Sequence, residues 1–160
     1  MIIYGVLYAP DVDGETLLDM NGLLARVSPK SPPVSRTVLV GIVTETRVFV
    51  ARDTEKTHMR GSPRIVGMAL ITGRRLMTGY KGYVDDVAVN ELYGGRGIGR
   101  HLMEMLIAYA RDMGMKHLEL TSNPNNPERA AAIKLYESLG FKPHHSRLMR
   151  LKFEPVPSKP

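Results

Sequence analysis

Four glycines stand where a helix has to begin. In the stretch VDDVAVNELYGGRGIGRHL, residues 84–102, an apolar run passes through Gly94, Gly95, Gly97 and Gly99 into a segment with helical periodicity. Glycine is a poor helix former. A glycine-rich turn nevertheless lets several backbone N–H groups converge on one point at the positive end of the helix dipole. The spacing therefore predicts a binding site for an anionic group, although a glycine-rich turn without a ligand stays open.

Two familiar phosphate loops do not match this glycine pattern. The chain contains no G-x-x-x-x-G-K-[ST], and the glycines at 95, 97 and 99 do not follow G-x-G-x-x-G, so a P-loop and a dinucleotide fingerprint are both excluded. A pyrophosphate group is still the expected ligand. We expect a β-branched residue at Gly97 or Gly99 to prevent its binding, since such a residue hinders close backbone approach and resists a positive φ.

Two carboxylates precede the glycines in the same apolar run. Asp85 and Asp86 are neighbours in a predicted strand, so their side chains point to opposite faces unless the strand carries a bulge. A carboxylate buried among apolar residues is costly unless it is hydrogen-bonded. This cost favours a functional or hydrogen-bonded role for one of them, and both are candidate catalytic residues, as a general base. Simple solvation at an exposed edge remains the alternative.

Composition narrows the class of protein. A chain of 160 residues is most simply one domain, here residues 1–154, with residues 155–160 as a disordered tail. It has no cysteine, which excludes disulfides, thiolate nucleophiles and cysteine-based zinc sites and is compatible with a cytoplasmic location. The opening MIIYGVLYAP is apolar but short and lacks a basic leader, so it predicts a strand rather than a membrane span or signal peptide.

The charge points to an anionic partner. The formal net charge is +6, but the basic residues are scattered along the chain and form no basic run. A phosphorylated small molecule therefore fits at least as well as nucleic acid. The histidines form no cluster with ligand spacing, and we predict no metal site.

Hydrophobic periodicity predicts the elements that position these residues. Strands are predicted over residues 2–8, 47–52, 64–72, 81–89 and 116–122, with a terminal pair of strands or one bent strand over 141–153. Helices are predicted after a cap at Asp13 or Thr16, after a cap at Ser35, from near Ile98 to near Gly114, and over residues 128–139. Residues 53–62 are predicted to be a polar loop. The pattern is typical of a mixed α/β domain.

The order of motifs resembles a known family. A strand ending in Ala88 and Val89, then YGGRGIGRHLM, a helix, a strand and AAAIKLYESLGF are similar to the GNAT superfamily of N-acetyltransferases, which bind acetyl coenzyme A. The resemblance covers roughly residues 81–141. It implies a single GNAT-like α/β domain with a mixed, mostly antiparallel twisted sheet flanked by about four helices.

The resemblance also implies the residues that bind the cofactor. The family pattern Arg/Gln-x-x-Gly-x-Gly/Ala falls on residues 94–99, with Gly94 in place of the arginine or glutamine. Arg96 or Arg100 is then expected to supply the missing charge. The predicted acetyl coenzyme A site comprises Val87, Ala88, Val89, Gly94, Gly95, Arg96, Gly97, Ile98, Gly99, Arg100 and Asn126, the first three through backbone groups that pair with the pantetheine arm.

The second motif carries a candidate proton donor. A tyrosine at the place of Tyr136 acts in the family as general acid and protonates the departing coenzyme A thiolate, although a residue here that only packs in its helix stays open. The family often has an asparagine about seven residues earlier, where this chain has Arg129. Asn123, Asn125 or Asn126 is the substitute that we consider.

The expected activity is transfer of an acetyl group from acetyl coenzyme A to a primary amine, directly within a ternary complex. The acceptor, a small molecule or a protein amine, is left open, as is a homodimer; no nucleic acid or membrane partner is expected. Two alternatives remain: a non-catalytic acyl coenzyme A binding module, motivated by Gly94 and Arg129, and a nucleic-acid-binding protein, motivated by the charge.

Overall fold

The computed structural model describes residues 1–153, apart from the side chain of Glu128. Its backbone divides into two compact units, which we call the N-terminal unit, Met1–Ser122, and the C-terminal unit, Asn123–Pro160. The predicted domain boundary at residue 154 and the predicted tail over 155–160 lie outside the described residues and stay predictions.

The N-terminal unit is built on one five-stranded sheet with the strands in chain order. The strands are β1 (Ile2–Val6), β2 (Arg47–Thr57), β3 (Pro63–Leu76), β4 (Gly79–Val89) and β5 (Leu118–Glu119). The first four pair antiparallel, and β5 runs parallel to β4. The predicted mixed, mostly antiparallel sheet is confirmed.

Two of the described helices begin at side-chain N-caps. The helices are α1 (Gly14–Val27), α2 (Arg36–Glu45), α3 (Ile98–Asp112) and, in the C-terminal unit, α4 (Ala130–Ser138). Asp13 accepts a hydrogen bond from the Thr16 N–H at 2.7 Å, and Ser35 accepts one from the Val38 N–H at 3.3 Å, as N-cap side chains do. Among the described residues no helix is both long and apolar enough to cross a bilayer.

The two faces of the sheet carry different helices. Met20 and Leu23 of α1 and Leu39 of α2 share a buried cluster with Met68 and Leu70 of β3. Helix α3 packs against Gly67, and Gly67 and its neighbour Met68 face opposite sides of the sheet because strand side chains alternate. Helix α3 therefore lies on the opposite face from α1 and α2. A Cβ at Gly67, the neighbour of Met68, would lie 3.1 Å from Cγ2 of Ile98 at the start of α3. A glycine in the middle of β3 therefore allows α3 to begin close to the sheet.

The predicted polar loop over residues 53–62 is wrong for its first half. Strand β2 continues to Thr57 and pairs again with Pro63 after a register shift. Residues 55–57 are exposed, so polar side chains are tolerated on this part of the strand. The polar residues of this segment therefore belong to a strand, with Asp53 buried and residues 55–57 exposed.

Two other strand predictions are corrected. The strand expected over residues 116–122 shrinks to Leu118–Glu119, and residues 141–153 contain no strand. The described part of the C-terminal unit holds no other strand, and an isolated hairpin is at best marginally stable in water. The large apolar residues of this segment, Leu148, Met149, Leu151 and Phe153, are accordingly exposed.

Candidate functional site

The glycine loop, residues 94–99, takes a backbone path that requires glycine at two positions. Gly95 has φ of 72° and Gly97 has φ of 76°, and Gly97 is the left-handed N-cap of α3. Residues with a Cβ are strained in this region. A Cβ built on either glycine would meet no atom within 4 Å, so the loop faces open space at both positions. The N–H groups at the start of α3 therefore have room for an anionic ligand.

The expectation of a positive φ at Gly99 is wrong. Gly99 is the second residue of α3 and is absent from the positive-φ positions. Backbone strain from a positive φ therefore does not oppose a larger residue there. Gly94 is also free of conformational demand, since its φ is −58°. A Cβ at Gly94 would lie 3.2 Å from the Glu91 carbonyl oxygen, which also accepts a hydrogen bond from the Gly94 N–H at 2.9 Å, so a side chain at this position requires that backbone to move slightly.

Two arginines, Arg96 in the loop and Arg100 directly after it, differ in their surroundings. The Arg96 guanidinium carbon lies 5.0 Å from the centroid of the Tyr93 ring, within the range of a cation–π contact. Arg100 lies in the first turn of α3, and its Nη1 is 3.6 Å from Oε1 of Glu104. Arg96 is therefore the better placed of the two to supply the charge that Gly94 lacks.

A buried hydrogen bond anchors the residue that precedes the loop. Tyr93 is 9% exposed, and its hydroxyl donates at 2.7 Å to Oδ2 of Asp53, which is 6% exposed. The Glu55 N–H donates to the other carboxylate oxygen at 3.0 Å, and the amino group of Met1 lies 3.5 Å from it. The hydrogen bond from Tyr93 holds the pKa of Asp53 below its ordinary value and raises the pKa of Tyr93.

Sequence reasoning missed this pair. Asp53 was assigned to a polar loop, and Tyr93 was treated as part of the glycine motif without a role. The available signal was a tyrosine directly before the glycines, because a tyrosine near a buried turn normally finds a partner for its hydroxyl.

Beyond β5, one edge of β4 has no strand beside it in the described part of the chain. Strand β5 pairs with β4 only at Gly82 and Tyr83, whereas β4 continues to Val89. The other edge of β4 pairs with β3, where Ala88 faces Met68. The backbone of residues 87–89 thus runs along a segment that an extended ligand could join by strand-like pairing.

A bulge separates the two aspartates. Leu70 of β3 pairs with Asp85, but Met68 pairs with Ala88, so β4 holds one extra residue between these pairs. Asp86 has φ of 29° and is exposed. This is the bulge that lets neighbouring side chains escape strict alternation.

Asp85 has the surroundings of a base. It pairs with Leu70, so it lies on the face that α1 and α2 cover. The carboxylate is half-buried, and the Thr72 hydroxyl donates to its Oδ2 at 3.1 Å. Burial raises the pKa of Asp85, and the hydrogen bond from Thr72 opposes that rise. Of the two aspartates, Asp85 is the more suited to accept a proton.

The remaining predicted residues belong to the C-terminal unit. Tyr136 lies in α4, with its ring centroid 6.1 Å from that of Phe141 in an edge-to-face contact. Burial raises the pKa of Tyr136, which keeps the phenol protonated, while Arg129 acts in the opposite direction. The Asn126 carbonyl accepts from the Arg129 N–H at 2.9 Å, so its backbone belongs to the turn that leads into α4.

The site therefore assembles in part. The glycine loop, the free edge of β4 and both aspartates lie in the N-terminal unit, and Tyr136 and Asn126 are each placed within the C-terminal unit.

Parts of this chain are similar in sequence to a protein family and to curated proteins. Residues 32–141 match the family described as Acetyltransferase (GNAT) family. N-alpha-acetyltransferase RimI of Mycobacterium tuberculosis is 34% identical over 82 residues, which cover 51% of this chain and 48% of that protein. An uncharacterized ycf52-like N-acetyltransferase of Prochlorococcus marinus is 29% identical over 49% of this chain and 39% of its own. The matches thus span less than half the length of these curated relatives.

Solved structures share the fold over most of the chain. An acetyltransferase of Trypanosoma brucei superposes with a TM-score of 0.72 at 27% identity, covering 96% of this chain and 100% of the other. The NatC complex bound to Gag peptide and CoA gives a TM-score of 0.69 at 24% identity, covering 88% of this chain and 84% of the other. The family match spans more than half of the chain, so the chain belongs to the acetyltransferase (GNAT) family.

Proposed function

We propose that the protein transfers an acetyl group from acetyl coenzyme A to a primary amine within a ternary complex. The observation that carries this proposal is the placement, within one unit, of a left-handed glycine loop at the start of α3 and the free edge of β4. An anionic pyrophosphate suits the first, and an extended amide chain suits the second. Coenzyme A carries both groups.

Binding of the donor would use mainly backbone groups. The N–H groups of residues 97–99 would hold the pyrophosphate, and the backbone of residues 87–89 would pair with the pantetheine arm. Arg96 would add the charge-assisted contact that the family obtains from the side chain at the position of Gly94. The open space at Gly95 and Gly97 fits this group.

The chemistry needs two proton transfers. The amine nitrogen forms a bond to the acetyl carbon, and the bond from that carbon to sulfur breaks. Asp85 would accept the proton that the amine gives up, because its raised pKa makes it a stronger base than an exposed aspartate. Tyr136 would donate a proton to the departing thiolate.

The first acceptor class to test is the α-amino group of a peptide. RimI of Mycobacterium tuberculosis is named as an N-alpha-acetyltransferase and is 34% identical over about half of this chain. Lysine side chains, polyamines, amino sugars and aminoglycosides form the rest of the panel. The cytoplasmic location and the absence of nucleic acid and membrane partners stay predictions.

The experiment is a thiol-release assay with acetyl coenzyme A against this panel, with the acetylated acceptor identified by mass spectrometry. The proposal expects release above background hydrolysis with one acceptor class. Tight coenzyme A binding without thiol release across the panel would favour the second candidate, a non-catalytic acyl coenzyme A binding module. This candidate is motivated by Gly94 and Arg129, which stand where the family has other residues. Absence of both binding and release would contradict both candidates.

A further inference from the structure

We infer that Asp53 is a positioning residue for coenzyme A binding, acting through the hydroxyl of Tyr93 and through Arg96, which rests on the Tyr93 ring. The inference builds on the proposed function, because it concerns how the glycine loop is held for its ligand. Asp53 itself is not expected to touch the ligand.

The glycine loop needs support at its ends. Gly94, Gly95 and Gly97 give the chain many accessible conformations, while convergence of N–H groups on one anion requires a single one. The residue after Gly97 is Ile98, which is 2% exposed and packs where a Cβ at Gly67 would lie. This contact holds the far end of the loop against the sheet.

Tyr93 holds the near end. It is the last residue of the 3-10 turn Glu91–Tyr93, so Gly94 follows it directly. Its buried hydroxyl reaches Asp53, a residue 40 positions earlier in the chain. A hydrogen bond over that separation ties the loop entry to a different element, which local turn geometry does not require.

Asp53 is a rigid partner for this bond. It lies in β2 and pairs with Ile2 of β1 on one side and with Arg64 of β3 on the other. A carboxylate that is 6% exposed would be costly without partners. The carboxylate accepts hydrogen bonds from the Tyr93 hydroxyl and the Glu55 N–H. These bonds offset the cost of burying it, and the first of them holds the residue that precedes the glycine loop.

The same tyrosine carries the loop's cation. The Arg96 guanidinium carbon is 5.0 Å from the Tyr93 ring centroid, and the family's charged or amide side chain is missing at Gly94. The Tyr93 ring therefore sets where the charge of Arg96 is available. Fixing the ring through Asp53 fixes both the loop entry and its charge.

The test compares coenzyme A affinity by calorimetry, and KM for acetyl coenzyme A against kcat, in wild type, Tyr93→Phe and Asp53→Asn. Tyr93→Phe keeps the ring and the contact with Arg96 but removes the hydroxyl. We expect its Kd and KM to rise about tenfold with kcat nearly unchanged. Asp53→Asn keeps an oxygen that accepts from the hydroxyl, so its Kd should lie between those of wild type and Tyr93→Phe.

Two controls separate positioning from general destabilisation. Tyr109→Phe removes a hydroxyl from another tyrosine whose ring carries an arginine, Arg47, at 5.2 Å. Val43→Ala removes methyl groups from the buried side of α2 and lowers the melting temperature by a different route. Both should leave the coenzyme A affinity of the folded protein unchanged.

Three results would overturn the inference: unchanged Kd in folded Tyr93→Phe, an equal rise of Kd in Val43→Ala, or unchanged Kd in Arg96→Gln. Arg96 is exposed, so the last variant is expected to fold. An unchanged Kd in it removes the role of Arg96 from the inference, whereas a raised Kd leaves Tyr93→Phe and Asp53→Asn to decide the role of Asp53. Wild type that fails to bind coenzyme A at all would instead remove the proposed function.

Discussion

At the scale of single residues, the proposed function assigns the pH dependence of the reaction to Asp85. Burial raises the pKa of Asp85, so the acid limb of kcat/KM should lie above the ordinary aspartate value of about 3.9. Thr72 lowers that pKa by donating to the carboxylate. Thr72→Val should therefore move the limb to higher pH, and Thr72→Ser should restore it. An identical pH profile in Thr72→Val would show that this carboxylate does not set the limb.

Replacing Asp85 itself should separate catalysis from stability. A raised carboxylate pKa means that the ionised form is unfavourable in the folded state, so the cost is present above the folded pKa and absent below the unfolded one. Asp85→Asn removes this cost at neutral pH and should not lower the melting temperature. Turnover should fall by about 10²-fold or more. Full activity in this variant would exclude Asp85 as the base.

Tyr136→Phe tests the proton donor. The variant keeps the ring that packs on Phe141 and deletes the hydroxyl. Coenzyme A affinity and melting temperature should be nearly unchanged, while the single-turnover rate falls by about 10²-fold. A loss of about 1 kcal/mol of stability together with activity would indicate a structural hydrogen bond instead. An unchanged single-turnover rate would leave water as the donor.

The sequence offered Asp85 and Asp86 as candidate bases but could not choose between them. The choice depends on the bulge in β4, which appears only when β4 is paired with β3. The contact between Asp53 and Tyr93 was unpredictable for the same reason, since the two residues are separated by 40 positions. Neither leaves a local signature in the chain.

At the scale of elements, substitutions at two glycines of the loop distinguish the effect of backbone strain from the effect of blocking the ligand. Gly97 has a positive φ and Gly99 is helical. Gly97→Val should lose about 1–2 kcal/mol of stability and also coenzyme A binding. Gly99→Val should weaken binding with little loss of stability, since valine is no worse than glycine inside a helix. Thermal melts and calorimetry on both variants check this. Normal binding by both would place the anion site elsewhere.

Gly94 is the position where the family side chain can be restored. Its φ of −58° suits any residue, and a Cβ would lie 3.2 Å from the Glu91 carbonyl oxygen, so that the backbone there has to move slightly. Gly94→Arg should tighten coenzyme A binding about tenfold through a charge-assisted contact, more strongly at low salt. Gly94→Ala is the matched control and should leave Kd unchanged. Weaker binding by the arginine variant would mean that Arg96 already occupies the position.

Helix ends were predictable and strand lengths were not. Asp13, Ser35 and Gly114 act locally, and the structure places caps or turns at all three. Strand length depends on which neighbouring strand is available for pairing, and the local sequence does not encode this. The segments 53–62, 116–122 and 141–153 were misjudged for this reason.

At the scale of the whole molecule, the order of two motifs was enough to predict the family. The glycine loop and AAAIKLYESLGF, separated by a helix and a strand, indicated the GNAT superfamily, and both the family and the sheet architecture are confirmed. Each motif is contiguous in the chain, so it can be recognised before the fold is known. The acceptor leaves no comparable motif, since acceptor sites are built from variable parts of a fold.

The most direct test of the central claim is calorimetric titration of the wild-type protein with acetyl coenzyme A. The account predicts a saturable heat with one site per chain, matched by a rise in melting temperature, because ligand at about 100 times Kd stabilises the folded state by about 2.7 kcal/mol. No heat and no shift at saturating concentration would contradict it, because the glycine loop and the free edge of β4 would then lack the ligand that explains them.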